Sequence, residues 1–272
     1  MGRRGGETAA RPSAGERGSA PVSLAARDLY CRYGDVAALD GVSVRLPAGG
    51  CLAVVGESGS GKSTLLRCFN RMVRPVRGTV LVGDSDAAAQ PVVQLRRRLG
   101  YVPQEGGLLP HWRVLRNVAL VPALQGDPAS PAAAAAALEL VGLDPAEYGA
   151  RFPHELSGGQ RQRAAIARAL AGRPAALLMD EPFGALDAIT RSDAQAAFAA
   201  LRHRLGITTL LVTHDLLEAR LIADELLVMR AGRVEQQGTF DALRASPATP
   251  YVAALLQRAL PQLVASAPGI RP

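Results

Sequence analysis

Residues 51–56, CLAVVG, form a continuous apolar run that passes without a break into the string GESGSGKST at 56–64. An apolar run of this length fits a strand buried on both faces. The order strand, Gly-rich loop, helix limits the chain to folds in which an anion can sit at a helix N-terminus. Gly56, Glu57, Ser58, Gly59, Ser60, Gly61, Lys62 and Ser63 fit the pattern G-x-x-x-x-G-K-[ST], which marks a broad class of proteins that bind nucleoside triphosphates. Successive backbone N–H groups in such a loop can close around phosphate oxygens, and glycine permits the close approach. The pattern places the Lys62 ammonium on the β- and γ-phosphates and the Ser63 hydroxyl on a magnesium ion, with Thr64 supporting the α-phosphate.

The rest of the chain is patterned for an α/β fold. Val42, Val44 and Leu46 alternate with Ser43 and Arg45, the period of a half-buried strand, and Pro47 to Gly50 is a turn. The apolar runs AALLM (175–179), ITTLLVT (207–213) and ELLVM (225–229) are separated by helical segments, which argues for a mostly parallel sheet. Gly172 and Pro174 stop the helix before the first of these strands. LLVMRAGRVEQQG reads as a hairpin turning at Ala231 and Gly232. Residues from about 95 to 165 interrupt the alternation with an Ala-heavy helical arm, in which Leu138, Val141 and the Gly142 stop fit an amphipathic helix. The expected organisation is a basic, disordered tail over 1–20, one domain over 21–245, and a C-terminal extension over 246–272 with a short helix and a loose end.

Composition removes several function classes. No uninterrupted apolar run approaches the roughly 18 residues of a membrane span, and the first twenty residues lack the apolar stretch of a secretory signal. Cys31, Cys51 and Cys68 form no C-x-x-C pair, which argues against a zinc site or a disulfide framework. The net charge of +7 comes in part from four tail arginines and from arginines at helical spacing, such as Arg96 to Arg98. Without an aromatic-interleaved basic motif it does not indicate nucleic-acid binding.

Two further strings narrow the chemistry. Asp180 and Glu181 end an apolar strand, so the Asp180 carboxylate can reach a magnesium ion near the loop. LSGGQ at 156–160 sets Ser157, Gly158 and Gly159 at the start of a helix, where free N–H groups and the helix dipole favour an anion. A Gly-rich loop, LSGGQ and a strand ending in Asp-Glu, in this order, resemble the ATP-binding-cassette (ABC) ATPases over roughly residues 22–245. The resemblance implies a P-loop NTPase (RecA-like) core with an antiparallel β subdomain and an inserted α-helical subdomain. It implies ATP and Mg2+ as ligands, with Ser63, Gln104 and Asp180 at the metal. Glu181 becomes the general base, and His214, in Thr213-His214-Asp215, the switch histidine at the γ-phosphate. Tyr33 in RYGDV resembles the aromatic residue that stacks on adenine, with Tyr30 as the competing candidate. Ser157, Gly158, Gly159 and Gln160 then bind nucleotide held by a second copy of the chain, and Asp187 is an interface residue that couples the two sites.

QEGGLLPHWRVLRNVALVP, RFPHELSGGQRQR and DEPFGALDAITR together resemble the ATPase subunits of osmoprotectant importers, which move glycine betaine, choline, carnitine or proline betaine. That likeness implies integral membrane permease subunits, an indirect link to a substrate-binding protein, and a place on the cytoplasmic face of the membrane. Related strings occur in importers for nitrate, sulfonates or amino acids. Soluble assembly or repair ABC proteins and exporters form the remaining alternatives. Several osmoprotectant ATPases continue into paired cystathionine-synthase-type domains, for which this chain leaves no room, so ionic-strength sensing, if the chain serves that pathway, is expected to lie elsewhere or to be absent.

Overall fold

A computed structural model describes residues 20–265. The tail expected at 1–20 lies, except for its last residue, outside the described residues, as do positions 266–272 of the C-terminal extension. The chain opens with β1 (Leu24–Tyr33), β2 (Val36–Leu46), β3 (Cys51–Val55), α1 (Lys62–Phe69), β4 (Arg77–Val82), β5 (Ser85–Asp86), α2 (Val92–Arg98) and β6 (Leu99–Val102). A helical stretch follows: α3 (Val114–Val118), α4 (Leu120–Leu124), α5 (Ser130–Leu140), α6 (Pro145–Tyr148) and α7 (Gly158–Ala171). The remainder is β7 (Ala176–Asp180), α8 (Ala188–Leu205), β8 (Thr208–Val212), α9 (Leu216–Ile222), β9 (Glu225–Arg230), β10 (Arg233–Gly238), α10 (Phe240–Ala245) and α11 (Pro250–Ala265).

The strands form two sheets. The main one runs β10-β9-β3-β8-β7-β6, parallel except for the β9–β10 hairpin, and the smaller antiparallel one runs β2-β1-β4-β5. The apolar run at 51–55 is explained by its place in the middle of the main sheet. Leu52 and Val54 face a core shared with Leu29, Leu39 and Val42 of the small sheet and with Leu65 and Phe69 of α1. Cys51, Ala53 and Val55 face a second core, shared with Ala164, Phe198 and Leu211. Because successive side chains of a strand point to opposite faces, a strand with a core on each side has no position for a polar residue. Each large apolar side chain buried in these cores contributes about 1.5–3 kcal/mol.

The helical arm has its own packing logic. Ala134, Ala137 and Leu138 of α5 are buried in the same cluster as Ala164, Ala165 and Ala167 of α7, so the alanine run lets the two helices approach closely. The stretch read as helical from about 95 still contains a strand: Leu99–Val102 pairs in parallel with Ala176–Met179, so the arm leaves the main sheet after β6, and its last helix continues to Ala171. At the C-terminus α11 runs 16 residues where a short helix was expected. Pro250 stands at its first position, where the missing N–H costs no helical hydrogen bond, and Val252 and Leu256 pack into the second core.

A polar clamp fixes the start of β3. The Cys51 N–H donates to Asp224 Oδ2 at 2.7 Å, and the same carboxylate accepts from both terminal nitrogens of Arg202 on α8, at 2.9 and 3.1 Å. Arg202 is buried, while about half of the Asp224 side chain is exposed. Asp224→Ala is expected to cost about 2 kcal/mol, because it strands a buried guanidinium and a buried N–H; solvent screening at the exposed carboxylate keeps the figure below that of a fully buried pair. Denaturant unfolding measures it as a lower midpoint at unchanged slope. Among the described residues no helix is long and apolar enough to cross a membrane.

Candidate active site

The ends of β3, β7 and β8 lie side by side in parallel register, and the chain segments that leave them bring the expected residues together. Between β3 and α1 the Gly-rich loop threads a narrow gap. A Cβ on Gly56 would lie 2.1 Å from the Met229 carbonyl oxygen, and one on Gly61, at φ 100°, 2.3 Å from that of Ala38. β9 and β2 thus press on the loop from two sides, and no residue with a side chain fits at either position.

Lys62 points back over this loop. Its Nζ donates to the carbonyl oxygens of Gly56 at 2.9 Å and Glu57 at 2.8 Å, and lies 3.5 Å from Ser60 Oγ. Only 6% of the residue is exposed. Burial pulls its pKa below the ordinary lysine value, and the nearby charges of Glu181 and Asp180 act in the opposite direction. At the next residue, Ser63 Oγ donates to Asp180 Oδ1 at 2.7 Å, which joins the loop helix to the end of β7. Arg67, four residues further along α1, reaches Asp180 Oδ2 at 3.2 Å.

Glu181 follows Asp180 with φ 47°, a left-handed conformation that non-glycine residues seldom adopt. Its N–H donates to the Val212 carbonyl at 2.9 Å, and the turn aims its carboxylate across to the end of β8. There His214 Nδ1 lies 3.2 Å from Glu181 Oε2. The backbone cost at Glu181, of order 1–3 kcal/mol, is thus spent at a position that brings an acid and an imidazole into contact.

The other expected residues fall into three places. Tyr33 ends β1 with 55% of its surface exposed. Tyr30 is covered by the Arg77 guanidinium, 5.3 Å from its ring centre, and its hydroxyl packs on Gly41, so only Tyr33 offers an open ring. Gln104 is exposed, two residues beyond β6 and beside the β7 end that carries Asp180. Ser157 caps α7: its Oγ accepts from the Gln160 N–H at 3.2 Å, and Gln160 Oε1 accepts from the Ser157 N–H at 2.9 Å. The Gln160 side chain is therefore engaged in its own helix cap, while the exposed Ser157 and the first turn of α7, including Gly158 and Gly159, present an anion-friendly end. Among the described residues no hydrogen bond joins this end to the Gly-rich loop of the same chain. Asp187 is the N-cap of α8, accepting from the Thr190 N–H at 3.0 Å, and this bonding holds its carboxyl below the usual range.

Ser63 and Asp180 supply hard oxygen donors at one point, the type of ligand that magnesium selects. No cluster of three or more His, Cys, Asp or Glu suited to a metal occurs among the described residues. The donor set therefore fits an ion held by a hydroxyl, a carboxylate and ligands from a bound phosphate chain. Arg67 and Tyr251 were not anticipated from the sequence. Arg67 lies four residues after Ser63, on the same helix face, so its spacing carried a signal. Tyr251, whose hydroxyl accepts from the Glu57 N–H at 3.2 Å, lies 194 residues from the loop, and no local pattern points to it.

A parallel sheet with a Gly-rich loop after a central strand, a lysine folded over that loop and a Ser–Asp pair beneath it defines a P-loop NTPase fold. Within that class the chain belongs to the ABC transporter family, whose description matches residues 39–184. It is 40% identical over 235 residues to the glycine betaine/carnitine/choline transport ATP-binding protein OpuCA of Bacillus subtilis, covering 86% of this chain and 61% of that one. It is 48% identical over 209 residues to the Fe(3+) ions import ATP-binding protein FbpC of Pseudomonas fluorescens, covering 76% of this chain and 58% of that one. The chain thus spans about three fifths of the length of these relatives. Among solved structures it resembles the dimeric, post-hydrolysis state of the ATP-binding cassette MJ0796 bound to ADP and Pi, with TM-score 0.71 and 29% identity over 79% of this chain and 98% of that one.

Proposed function

We propose that this chain is the ATP-hydrolysing subunit of an ABC importer, seated at the cytoplasmic face of the membrane, that powers uptake of quaternary-amine osmoprotectants through separate membrane subunits. The observation that carries the reading is the convergence, beyond the carboxyl ends of β3, β8 and β7, of the Lys62 ammonium, the Ser63–Asp180 pair and the Glu181–His214 pair. Lys62 and the loop N–H groups bind and orient the β- and γ-phosphates, and Tyr33 stacks on the adenine. Ser63, Asp180 and Gln104 hold Mg2+, which when bound neutralises charge on the phosphate oxygens. Glu181 accepts a hydrogen bond from the attacking water and aims it at phosphorus, while His214, in contact with the Glu181 carboxylate, meets the γ-phosphate. This division of labour fits phosphoryl transfer, in which positioning and charge stabilisation supply most of the catalysis.

Ser157, Gly158 and Gly159, on the free end of α7, complete the site of a second copy, with Asp187 at the boundary between the two. The dimeric form of the MJ0796 cassette supports this arrangement. Partners are then a second copy, the permease subunits and, through them, a substrate-binding protein; nucleic acid is not among them. The cargo assignment rests on the likeness to OpuCA and on the LLPHW and ALVP strings. A second reading, a cassette for another small solute such as nitrate, a sulfonate or an amino acid, draws support from the identity to FbpC, which shows that close relatives serve unrelated cargo.

Uptake of labelled glycine betaine and choline separates the two readings. Cells with other betaine transporters removed, carrying the parent protein or Glu181→Gln, are compared at low and high osmolarity. The expected outcome is loss of uptake in the variant, about 10²-fold or more for a removed general base. Equal uptake in both strains assigns the cassette to another solute.

A further inference from the structure

Behind the Glu181–His214 pair lies a cavity of about 10 Å³, lined in part by Glu181, Arg191, Thr213, His214, Asp215 and Glu218. This is close to the smallest volume that holds one water molecule. Two side-chain atoms of its lining residues, Glu218 Oε1 and Arg191 Nε, are buried and have no hydrogen-bond partner among the described residues. Glu218, in the first turn of α9, is only 3% exposed. Its other oxygen, Oε2, accepts from Gln195 Nε2 at 3.2 Å. The terminal nitrogen of Arg191 donates to the Leu186 carbonyl at 2.6 Å and reaches that of Gly184 at 3.5 Å, both in the segment that joins Glu181 to Asp187.

Burial disfavours a carboxylate with one bare oxygen, whereas a neutral carboxyl carries a hydrogen on that oxygen and becomes a donor. A water in the cavity could accept from the Glu218 O–H and from Arg191 Nε–H, and direct its own hydrogens at the Glu181 and Asp215 carboxylates on the same wall. We propose that Glu218 is a positioning residue: as a neutral acid it shares one water with Arg191, and this bridge sets the Glu181–His214 pair and the Gly184–Asp187 segment in one arrangement. The charged and titratable groups facing it are Asp215 at the N-cap of its own helix, Arg191 from α8, and Glu181 and His214 from the strand ends. Burial first, and the Asp215 charge second, push its carboxyl up to about 8, against the Gln195 hydrogen bond, the neighbouring Thr213 hydroxyl and the charge of Arg191. Glu218 is therefore mostly neutral around pH 7 and ionises as pH rises through about 8, where the bridge loses its donor.

The proposal rests on the ATPase reading for its catalytic consequence, so the test pairs turnover with a measurement that needs no activity. ATP turnover at saturating Mg2+ and ATP is measured between pH 6 and 9.5 for the parent, Glu218→Gln and Glu218→Ala. The parent is expected to lose about tenfold per pH unit above the Glu218 ionisation, as a single inactivating deprotonation requires. Glu218→Ala is slower at every pH, and Glu218→Gln, which keeps the shape and the neutral state, rescues that loss and removes the alkaline fall. An alkaline fall unchanged in Glu218→Gln, or a Gln variant as impaired as Ala, overturns the proposal. In nucleotide-free melts the neutral carboxyl stabilises the fold fully below the unfolded carboxyl pKa of about 4.3, and this is lost as pH rises toward about 8. The Tm of the parent should thus fall relative to Glu218→Gln over that interval. Parallel melting profiles refute the neutral acid whether or not ATP is turned over, whereas absence of hydrolysis with a widening Tm gap refutes only the ATPase reading.

Discussion

Glu181→Gln is expected to lower steady-state ATP turnover by about 10²–10⁴-fold, the range seen when a positioned general base is removed, while leaving nucleotide affinity near the parent value. The reasoning starts from the backbone. Glu181 occupies a left-handed conformation immediately after a buried strand, and its N–H is tied to the end of the neighbouring strand. Both features depend on the main chain, so the amide variant should keep the turn and lose only the charge. It also keeps an oxygen that the imidazole of His214 can approach, as Oε2 does at 3.2 Å. Lys62, Ser63 and Asp180 make their contacts without the Glu181 side chain, so the phosphate-binding parts stay in place. A protein that binds but does not turn over should accumulate as a nucleotide-loaded dimer. Rapid-quench turnover, equilibrium nucleotide binding and size-exclusion chromatography read the three consequences separately. Turnover within a few-fold of the parent would remove Glu181 as the base, whatever the dimer does.

Much of this was legible in the sequence because the informative patterns are local. The double-sided burial of β3 is written in five consecutive apolar residues, and the loop that follows is fixed by glycines whose missing side chains leave room for β2 and β9. The capping of α7 by Ser157 was equally local, a Ser followed three residues later by Gln. What escaped was decided by tertiary contact. β6 follows the charged helix α2 directly and has only four residues, so its pairing with β7 outweighs any helical pattern read across it. The length of α11 turned on whether Pro250 starts or interrupts a helix, and the burial of Val252 and Leu256 settles that in favour of a start. Within the site, Ser63–Asp180 and Glu181–His214 join residues 117 and 33 positions apart. Their motifs announced them, but the cavity between Glu218 and Arg191 carries no motif. It exists only because α8 and α9 pack side by side after β7 and β8 have set their starting points.

Lys62→Ala is expected to fail at an earlier step than Glu181→Gln, with nucleotide affinity lowered by about 10²-fold and turnover lost as a consequence. Lys62 is a buried ammonium whose two short contacts, and a longer one to Ser60 Oγ, are all with its own loop. Burial disfavours its charge, and the two carboxylates at the end of β7 favour it, so the loop holds a cation whose local counter-charges are incomplete. A phosphate chain entering the loop would supply the missing negative charge. Each charge-assisted hydrogen bond then formed is worth about 1.5–3 kcal/mol, and one or two of them account for the expected loss. Truncation also leaves the Gly56 and Glu57 carbonyls without their donor, which destabilises the closed loop before any ligand arrives. Lys62→Met separates these effects, since it fills the space over the loop but carries no charge. If the ammonium acts on phosphate, Met and Ala lose similar affinity, although Met melts closer to the parent. A Met variant that binds nucleotide as tightly as the parent would show that the chain over the loop, and not its charge, is what the site requires.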